Sequence, residues 1–287
     1  MFSMIHSFGK RHPRIRDILN PVWQPAKRFL WLLRGKLLAG RPIKFSAGQH
    51  SFFMVDEGQI AKFMWAGGFE ETERDFVVKE IRLGMRVLNI GANAGLYSII
   101  ASKMVGDKGQ VHAFEPSSQN FNWLKKNIEL NGCKNVKVNK LALADFQGTL
   151  SLNRDHLHPD MDGHFFVQNI SESPLVSPDT IEDVSCTTLD DYWFRACGGI
   201  IKPVDFIIID VEGAELSVFE GARKTFAASP NLVMILECTK NVSEIRKFLM
   251  DFEFQCYLWS LDSCQMIPVE IERGSFIARR EISKNEG

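Results

Sequence analysis

A glycine-containing turn between a predicted strand and a predicted helix constrains the fold of this chain more than any other feature. Residues 87–97 read Val-Leu-Asn-Ile-Gly-Ala-Asn-Ala-Gly-Leu-Tyr, with the two glycines four positions apart. The apolar residues before the turn predict a buried strand, and the apolar periodicity of residues 96–105 predicts a helix. Such a turn brings backbone N–H groups and the positive end of a helix close to a ligand. The stretch therefore predicts either a ligand-binding turn or a tight packing turn.

An acidic residue follows at the spacing that nucleotide-binding folds use. Residues 109–116 predict a second strand that ends at Glu115, twenty-four positions after Gly91. In doubly wound folds a carboxylate at the tip of the second strand, about twenty residues after the glycine turn, binds ribose hydroxyls. Pro116 ends the strand, and Ser117 or Ser118 can cap the next helix. An exposed acid at a strand end is the alternative, but the position favours ribose binding.

The rest of the chain alternates between strand and helix patterns of similar length. This alternation predicts an α/β, doubly wound fold, in which helices cover both faces of a mostly parallel sheet. After a helix near 243–251, residues 254–259 and 274–278 are too close in sequence for a crossover helix, so they predict an antiparallel C-terminal hairpin at the sheet edge. The expected strands lie near 86–90, 110–114, 136–143, 204–210 and 231–237, and the expected helices at 95–105, 117–131, 188–196 and 214–228.

Three regions are expected along the chain. Residues 1–44 form a basic arm, residues 45–85 an extension with a short strand region and a helix, and residues 86–287 the main domain. Residues 153–184 contain three prolines, few apolar clusters and a concentration of His and Asp. This composition predicts a long loop or lid over the strand ends, where loops commonly carry function.

Charge is unevenly distributed along the chain. The 287 residues carry a net charge of −1, which argues against a general nucleic-acid binder. Residues 1–44 contain ten Lys or Arg and one Asp, so the arm carries about +9 and the remainder about −10. Residues 27–38 could form a basic helix with an aromatic and leucine face, which would lie on an anionic membrane surface. Packing on the main domain and a solvated arm are the alternatives.

Cysteine usage and the early apolar runs indicate the compartment. The six cysteines have no paired metal or redox spacing and several lie in apolar runs, which is typical of buried free thiols in a reducing compartment. Basic and polar residues interrupt each early apolar run, so no secretory signal is expected. The apolar run at 29–33 is too short to span a bilayer. We expect a cytoplasmic protein, with peripheral contact at the inner membrane face as an addition.

Acidic residues follow the most apolar of the predicted strands. The run from Val204 to Ile209 is typical of a strand that is covered on both faces. Asp210, Glu212 and Glu215 come next, and the following predicted strand ends at Glu237. Open α/β sheets bind ligands at the carboxyl edge, so we expect Asp210 or Glu212 in the active site. Glu215 is expected in the first turn of the next helix.

Together these motifs resemble the FkbM-type family of S-adenosylmethionine-dependent methyltransferases. The motifs occur in the family order over roughly residues 70–240. They are Asn-Ile-Gly-Ala-Asn-Ala-Gly from Asn89, Ala-Phe-Glu-Pro from Ala113, Lys-Lys-Asn-Ile-Glu-Leu-Asn-Gly from Lys125, Ala-Leu-Ala-Asp from Ala142, Thr-Thr-Leu-Asp-Asp from Thr187, Ile-Asp-Val-Glu-Gly-Ala-Glu from Ile209 and Leu-Glu from Leu236. The resemblance implies a Rossmann-like, seven-stranded class I methyltransferase fold. It also implies S-adenosylmethionine as cofactor and O-methylation of a carbohydrate, glycan or related metabolite.

The resemblance also implies roles for individual residues. Asn89 stands where the family usually has an acid that helps to position the methionine or ribose part of the cofactor. Asparagine keeps a hydrogen-bonding carbonyl but lacks the negative charge opposite a cationic ligand, which implies weaker binding. Carried over by position, the other cofactor-binding residues are Gly91, Ala92, Asn93 and Gly95 in the turn, Glu115 at the ribose, Asp145 near the adenine, Glu70 from the preceding segment and Asp210 at the methionine end.

Methyl transfer to an alcohol requires alignment of the oxygen, the methyl carbon and the sulfur, and a base that removes the hydroxyl proton. Glu212 is the first candidate for this base, and His164 in the predicted loop is the second. Residues 155–164 alternate His and Asp, a composition that metal ligands can have. We prefer a polar lid that binds a polyhydroxy substrate, and we assign no metal.

Two other functions are compatible with the same fold. A non-catalytic module, which binds S-adenosylmethionine or associates with a membrane, is supported by Asn89 alone. A nicotinamide-dependent oxidoreductase is disfavoured, because residues 91–95 lack the three-glycine spacing of dinucleotide-binding turns.

Overall fold

A computed structural model describes residues 30–31, 33–34, 36–66, 69–154, 165–167, 181–238, 240–271 and 273–280. The described residues between 30 and 37 are helical, and this part is called the N-terminal helical segment below. The first elements after it are β1 (Ile43–Ala47) and β2 (His50–Met54), which pair antiparallel, then α1 (Gly58–Ala66) and α2 (Glu71–Glu80). Part of the helix predicted at 27–38, and His164, lie outside the described residues.

The remaining elements largely follow the predicted alternation. In chain order they are β3 (Arg86–Ile90), α3 (Leu96–Val105), β4 (Gln110–Phe114), α4 (Ser118–Leu130), β5 (Val136–Asn139), β6 (Ala142–Leu143), β7 (Gly148–Arg154), β8 (Phe165–Val167), β9 (Ile181–Thr187), α5 (Leu189–Ala196), β10 (Phe206–Ile209), α6 (Glu215–Glu220), α7 (Arg223–Ala227), β11 (Val233–Cys238), α8 (Val242–Asp251), β12 (Phe254–Ser260), β13 (Gln265–Pro268) and β14 (Gly274–Arg280).

The main sheet has eight strands in the order β13-β12-β14-β11-β10-β3-β4-β5. The five strands from β11 to β5 are parallel, and β14, β12 and β13 are antiparallel. The predicted doubly wound, mostly parallel α/β fold with an antiparallel C-terminal pair is therefore confirmed. The sheet has one strand more than the seven predicted, because the chain between β12 and β14 folds back and adds β13 at the edge.

Helices cover both faces of this sheet, and the strand β10 shows why the sequence requires it. Phe206 and Ile208 belong to one apolar cluster, whereas Ile207 and Ile209 belong to the other. All four side chains are at most 3% exposed. Because successive side chains of a strand point to opposite faces, an uninterrupted apolar run is stable only between two layers of helices. The helices α2, α3 and α4 lie on one face, and α5 to α8 lie on the other.

Two predicted elements are divided in the structure. The strand predicted at 136–143 becomes β5 in the main sheet and β6 in a second sheet of order β6-β9-β7-β8. The helix predicted at 214–228 becomes α6 and α7, which meet at Gly221. A Cβ at Gly221 would lie 2.0 Å from the carbonyl oxygen of Ala144, so the second sheet approaches the backbone here too closely for any side chain.

The second sheet also changes the account of residues 153–184. Strand β7 ends at Arg154, β8 lies within the predicted loop and β9 begins at Ile181, so both borders of that segment are strands. Alternating residues of β7 and β9, such as Leu152 and Val184, are buried in a small apolar cluster. The predicted loop therefore connects strands of a sheet that stands beside the strand ends.

The extension before β3 packs on the main domain. The side-chain amide of Asn131, just after α4, accepts a hydrogen bond from the N–H of Phe53 and donates one to its carbonyl, at 2.9 and 2.7 Å. Asn127 accepts another from the N–H of Val55 at 2.7 Å. Through these bonds the side-chain amides satisfy backbone groups of the hairpin edge and hold the β1–β2 hairpin against α4.

The cysteines differ in their exposure. All six are free: Cys186 and Cys238 are buried, three are half-buried, and Cys264 is exposed. Among the described residues, we find no helix with the length and apolar character needed to cross a membrane.

Candidate cofactor and active site

A cleft opens at the carboxyl edge of β3, β4 and β10, where the sequence predicts a ligand site. The turn after β3, the end of β4 and the turn after β10 form its polar side, and residues of β6 and β7 form an apolar wall. The residues that line it are Ile90, Gly91, Asn93, Phe114, Glu115, Pro116, Asn120, Leu141, Ala142, Leu143, Leu150, Leu152, Asp210, Val211, Glu212 and Ala214. The structure thus brings Gly91, Asn93, Glu115, Asp210 and Glu212 to one site.

Gly91 is required by the close approach of two strands. A Cβ at this position would lie 1.7 Å from the carbonyl oxygen of Asp210, and the φ angle of Gly91 is +80°. Gly95 is also in the left-handed region, with φ of +89°, and a Cβ there would lie 2.6 Å from Cδ1 of Leu124. Both glycines let the turn pack closely on its neighbours, and Gly91 thereby places the turn beside the end of β10.

The N–H groups of this turn are all hydrogen bonded within the protein. Gly91 and Ala92 both donate to the carbonyl oxygen of Phe114, at 3.0 and 2.8 Å. The N–H of Asn93 donates to Oε2 of Glu115 at 2.8 Å. The N–H groups of Ala94 and Gly95 donate within the turn, to Oδ1 of Asn93 and the carbonyl oxygen of Ala92. The expectation of bare N–H donors is therefore wrong. The turn offers the cleft its edge at Gly91 and Asn93, whereas Ala92 and Gly95 do not line it.

Glu115 is held rigidly at the floor of the cleft. Its second oxygen, Oε1, accepts a hydrogen bond from the N–H of Ser117 at 2.9 Å. The side chain is buried, and burial raises the pKa of its carboxyl to about 7. Hydrogen bonds from Ser117, Asn93 and Asn120 lower that pKa but do not outweigh burial. A carboxylate fixed by backbone donors beside the glycine turn has the position of a ribose-binding acid.

Asp210 is an acid with an unsatisfied oxygen. Although the residue as a whole is half-buried, its Oδ1 is buried and accepts no hydrogen bond from the residues that the structure describes. Burial raises the pKa of this carboxyl well above its usual range, and the negative charges of Glu237, Glu212 and Glu70 raise it further. A buried acceptor among like charges is unfavourable without a ligand and is suited to a positive one.

Glu70 lies next to Asp210 and shares a smaller recess with it. This recess is lined by Glu70, Glu73, Tyr97, Ile208, Ile209, Asp210, Ile235, Leu236, Glu237 and Ser275. Glu70 has a left-handed backbone, with φ of 42°, and accepts a hydrogen bond from the hydroxyl of Tyr97 at 2.6 Å. Burial raises the pKa of the Glu70 carboxyl to about 7. Glu70, Asp210 and Glu237 therefore form one acidic group, called the acidic recess below.

Asn89 lies apart from the cleft. Its side chain is 1% exposed, and its amide nitrogen donates to Oγ of Ser98 in α3 at 2.8 Å. It lines neither the cleft nor the acidic recess. The side chain of Asn89 lies on the face of β3 that packs on α3, and its role in cofactor binding stays a prediction. The carboxyl groups at this edge of the sheet are those of the acidic recess.

Glu212 lies in the cleft on a strained backbone. Its φ angle is 51°, which is uncommon for a residue with a side chain, and Gly213 beside it has φ of 99°. Such conformations persist where the surrounding structure fixes them, and they concentrate at functional sites. The tight turn after β10 thus holds Glu212 in the lining of the cleft.

Asp145, which the resemblance places near the adenine, lies after β6. It is exposed and outside the cleft lining, and its Oδ1 accepts a hydrogen bond from the hydroxyl of Ser217 at 2.6 Å. This bond ties the turn after β6 to α6. Among the described residues, no group of three His, Cys, Asp or Glu side chains is placed to hold a metal ion, and the His/Asp stretch at 155–164 lies outside them.

Several residues that line the cleft and the acidic recess were not predicted from the sequence. The apolar wall, made by Leu141, Leu143, Leu150 and Leu152, depends on the second sheet, whose strands have no strong periodic signal. Tyr97 is the second residue of α3, so its position two residues after Gly95 is a signal that the turn would bring it to the site.

The sequence of this chain is similar to known methyltransferases. Residues 89–256, more than half of the chain, match the family described as Methyltransferase FkbM domain. A curated protein of Jannaschia sp. (strain CCS1), named "Putative methyltransferase", is 25% identical over 190 residues. That match covers 61% of this chain and 63% of the relative, so the chain spans less than two thirds of the relative's length.

Similar solved structures include a methyltransferase from Agrobacterium tumefaciens, with a TM-score of 0.45, 12% identity, and coverage of 84% of this chain and 70% of that one. An O-methyltransferase from Thermotoga maritima has a TM-score of 0.42 and 16% identity, and the match covers 86% of this chain and 80% of that one. An rRNA methylase from Streptococcus thermophilus has a TM-score of 0.40 and 12% identity, with coverage of 75% of this chain and 100% of that one. With TM-scores below 0.5, these likenesses do not bear on the reaction or the acceptor.

Proposed function

Because the chain belongs to the FkbM methyltransferase family, we propose that it transfers a methyl group from S-adenosylmethionine to a hydroxyl of a carbohydrate, glycan or related metabolite. One observation carries the cofactor part of this proposal. The cleft places a fixed carboxylate, Glu115, between the glycine turn and an apolar wall, and an acidic recess around Asp210 adjoins it.

The residues present fit this cofactor at both of its ends. Glu115 would accept hydrogen bonds from the ribose hydroxyls, and the leucines of the apolar wall would contact the adenine. Asp210, whose Oδ1 is buried without a hydrogen-bond donor among the described residues, would face the positively charged methionine end. A positive ligand would favour the charged forms of the carboxyls in the acidic recess, which would then supply the negative charge that Asn89 lacks.

The reaction that we propose depends on deprotonation of the acceptor. When bound, S-adenosylmethionine supplies a methyl group that is already activated by the positively charged sulfur. An alcohol is a poor nucleophile at neutral pH, so a positioned base must take its proton as the new bond forms. Glu212 lines the cleft two residues after Asp210 and is our candidate for this base. His164 stays the second candidate from the sequence.

The charge of the site favours a neutral, hydroxyl-rich acceptor. Asp210, Glu212, Glu70 and Glu237 contribute carboxyl groups at or beside the cleft. Carboxylates accept hydrogen bonds from sugar hydroxyls but repel the phosphates of a nucleic acid, so a nucleic acid is not proposed as acceptor. We place the reaction in the cytoplasm. Contact of residues 27–38 with a membrane is independent of this chemistry, because it depends on a different surface.

The test is methyl transfer from S-adenosylmethionine carrying a deuterated methyl group to a panel of acceptors. The panel contains monosaccharides, glycan extracts, small amines and thiols, and rRNA. The proposal predicts a mass increase in a carbohydrate fraction and an O-linked methyl signal by NMR. Glu212→Gln should lower turnover by about 100-fold or more while cofactor binding persists. Transfer to nitrogen, sulfur or RNA alone would contradict the proposed acceptor.

A second candidate function is a non-catalytic module that binds the cofactor. The observation in its favour is Asn89, which replaces the usual acid and is bound to Ser98. Stable binding of S-adenosylmethionine with no transfer to any member of the panel would support this alternative. Turnover with any acceptor would exclude it.

A further inference from the structure

The N-terminal helical segment presents an exposed apolar ridge. Leu33 and Leu37 are four residues apart in the helix, so they lie on one face, and they are 38% and 70% exposed. Leu38 follows at 39%. These three leucines are called the leucine ridge. Single exposed leucines are ordinary in soluble proteins, whereas here three exposed leucines lie within six residues of one short segment.

The rest of the segment is fixed to the domain, which determines the direction of the ridge. The ring of Trp31 packs on that of Trp65 in α1, with centroids 5.4 Å apart. Arg34 forms an ion pair with Asp56 and also donates to the carbonyl oxygen of Arg41 at 2.5 Å. Because Trp31 and Arg34 occupy the inner face, the helix periodicity places Leu33 and Leu37 on the outer face.

The charged residues that flank the ridge in the sequence are all basic. From Ile18 to Val55 the sequence contains six Lys or Arg and no Asp or Glu. Lys36, Arg41 and Lys44 are exposed close to the ridge in sequence, whereas Arg34 is neutralised by Asp56. A ridge of leucines bordered by bases is the pattern of a helix that lies in the plane of a bilayer, with its leucines among the acyl chains and its bases at anionic headgroups.

We infer that the leucine ridge, together with Lys36, Arg41 and Lys44, docks the protein on a bilayer surface rich in anionic phospholipids. The combination of apolar and basic groups selects this partner. A second copy of the chain would bring the same positive charges together, which like-charge repulsion opposes. A nucleic acid would use the bases but would leave the leucines in water.

The docking surface is connected to the active site through α1. Trp65 of α1 contacts the N-terminal helical segment, and Phe63 of the same helix stacks on Phe69, with centroids 5.4 Å apart. Phe69 directly precedes Glu70 of the acidic recess. The leucine ridge and the acidic recess are thus linked through α1, and the docking itself does not rest on the proposed methyl transfer.

The experiment is co-sedimentation of the full chain with vesicles of phosphatidylglycerol and phosphatidylcholine, compared with pure phosphatidylcholine, at low and high salt. The wild type should bind only the anionic vesicles. The double variant Leu33→Ser/Leu37→Ser should lower the partition coefficient by about tenfold or more. The double variant Lys36→Glu/Arg41→Glu should lower it by about tenfold or more and reduce the effect of salt.

Matched substitutions elsewhere separate this site from general stickiness. Leu83→Ser removes a leucine that is 81% exposed and follows the C-terminal end of α2. Lys108→Glu/Lys134→Glu reverses the charge of two exposed bases in the main domain. Neither should change binding by more than about twofold. The inference is overturned if the leucine variant binds like the wild type, if the controls weaken binding equally, or if sedimentation analysis shows a dimer that the leucine substitutions dissociate. Intact thermal unfolding of each variant excludes misfolding as the cause.

Discussion

We predict that binding of S-adenosylmethionine to this protein releases about one proton at pH 7. Burial raises the carboxyl pKa values of Glu70 and Glu115 to about 7, so each carries about half a proton at that pH. Hydrogen bonds from ribose hydroxyls favour the charged form of Glu115, and a positive ligand favours the charged form of Glu70. If both become fully charged, the two halves sum to about one proton per site.

The direction of the pH dependence follows from the sign of these shifts. Both pKa values are raised above the ordinary value of 4.5, so in the free protein the two carboxyls stabilise the fold below about pH 4.5, and this contribution is lost as the pH rises through 7. Because the ligand prefers the charged forms, its affinity should rise as the pH rises through 7. Any proton that leaves Asp210 adds to the release, since its pKa is also raised.

The measurement is isothermal titration calorimetry at pH 7 in phosphate and in Tris, whose ionisation enthalpies differ. The dependence of the observed enthalpy on the buffer gives the number of protons released. Glu70→Gln and Glu115→Gln should each remove about half a proton. Glu57→Gln is the control, because Lys126 and Trp123 lower the pKa of the Glu57 carboxyl and keep it charged away from the cleft. An enthalpy that does not depend on the buffer, or an affinity that falls between pH 6 and 8, would refute the reasoning.

Three further predictions concern the turn, position 89 and a buried histidine. Gly91→Ala should destabilise the protein by about 3 kcal/mol or more in chemical unfolding, because its Cβ would lie 1.7 Å from the carbonyl oxygen of Asp210. The control is Gly84→Ala, where φ is similar at +85° but the space around the Cβ is open, and it should destabilise the protein by about 1 kcal/mol. Asn89→Asp should lower the free energy of unfolding by about 2 kcal/mol at pH 8, because it buries a charge. The affinity for S-adenosylmethionine should stay unchanged, and tighter binding would show that position 89 contacts the cofactor. Burial lowers the pKa of His112 from 6.5 to about 4. The neutral histidine therefore contributes to the free energy of unfolding above pH 6.5, and this contribution of up to about 3 kcal/mol should be lost as the pH drops to 4. His112→Gln should flatten that pH dependence in unfolding titrations.

The architecture was predictable because its strongest signals are local. The run from Val204 to Ile209 has no polar interruption, and only a strand between two helical layers can bury it. Gly91 and Glu115 mark the ends of two neighbouring strands, so parallel pairing of β3 and β4 necessarily brings them together. The position of Glu115 in the cleft follows from that pairing.

The parts that could not be predicted depend on contacts between distant segments. The N–H groups of Gly91 and Ala92 are used by Phe114 of the adjacent strand, which a reading of the turn alone does not reveal. The orientation of Asn89 depends on which face of β3 meets α3. The hydrogen bond from Ser217 to Asp145 joins residues more than seventy positions apart, so the position of Asp145 in the sequence does not reveal it.

The second sheet illustrates the same limit on a larger scale. Strands β6 and β8 have two and three residues, too few for a periodic pattern, and they become strands only through pairing with β9 and β7. Since Leu150 and Leu152 of β7 form the apolar wall, this side of the site depends on long-range pairing.

Equilibrium binding of S-adenosylmethionine and of NAD to the purified protein at pH 8, repeated with Glu115→Gln, tests the central claim most directly. The account predicts saturable binding of S-adenosylmethionine, no binding of NAD, and an affinity at least about tenfold weaker in a variant that still unfolds cooperatively. No binding of S-adenosylmethionine at millimolar concentration, or equal binding by the variant, would contradict the assignment of the cleft and of Glu115 within it.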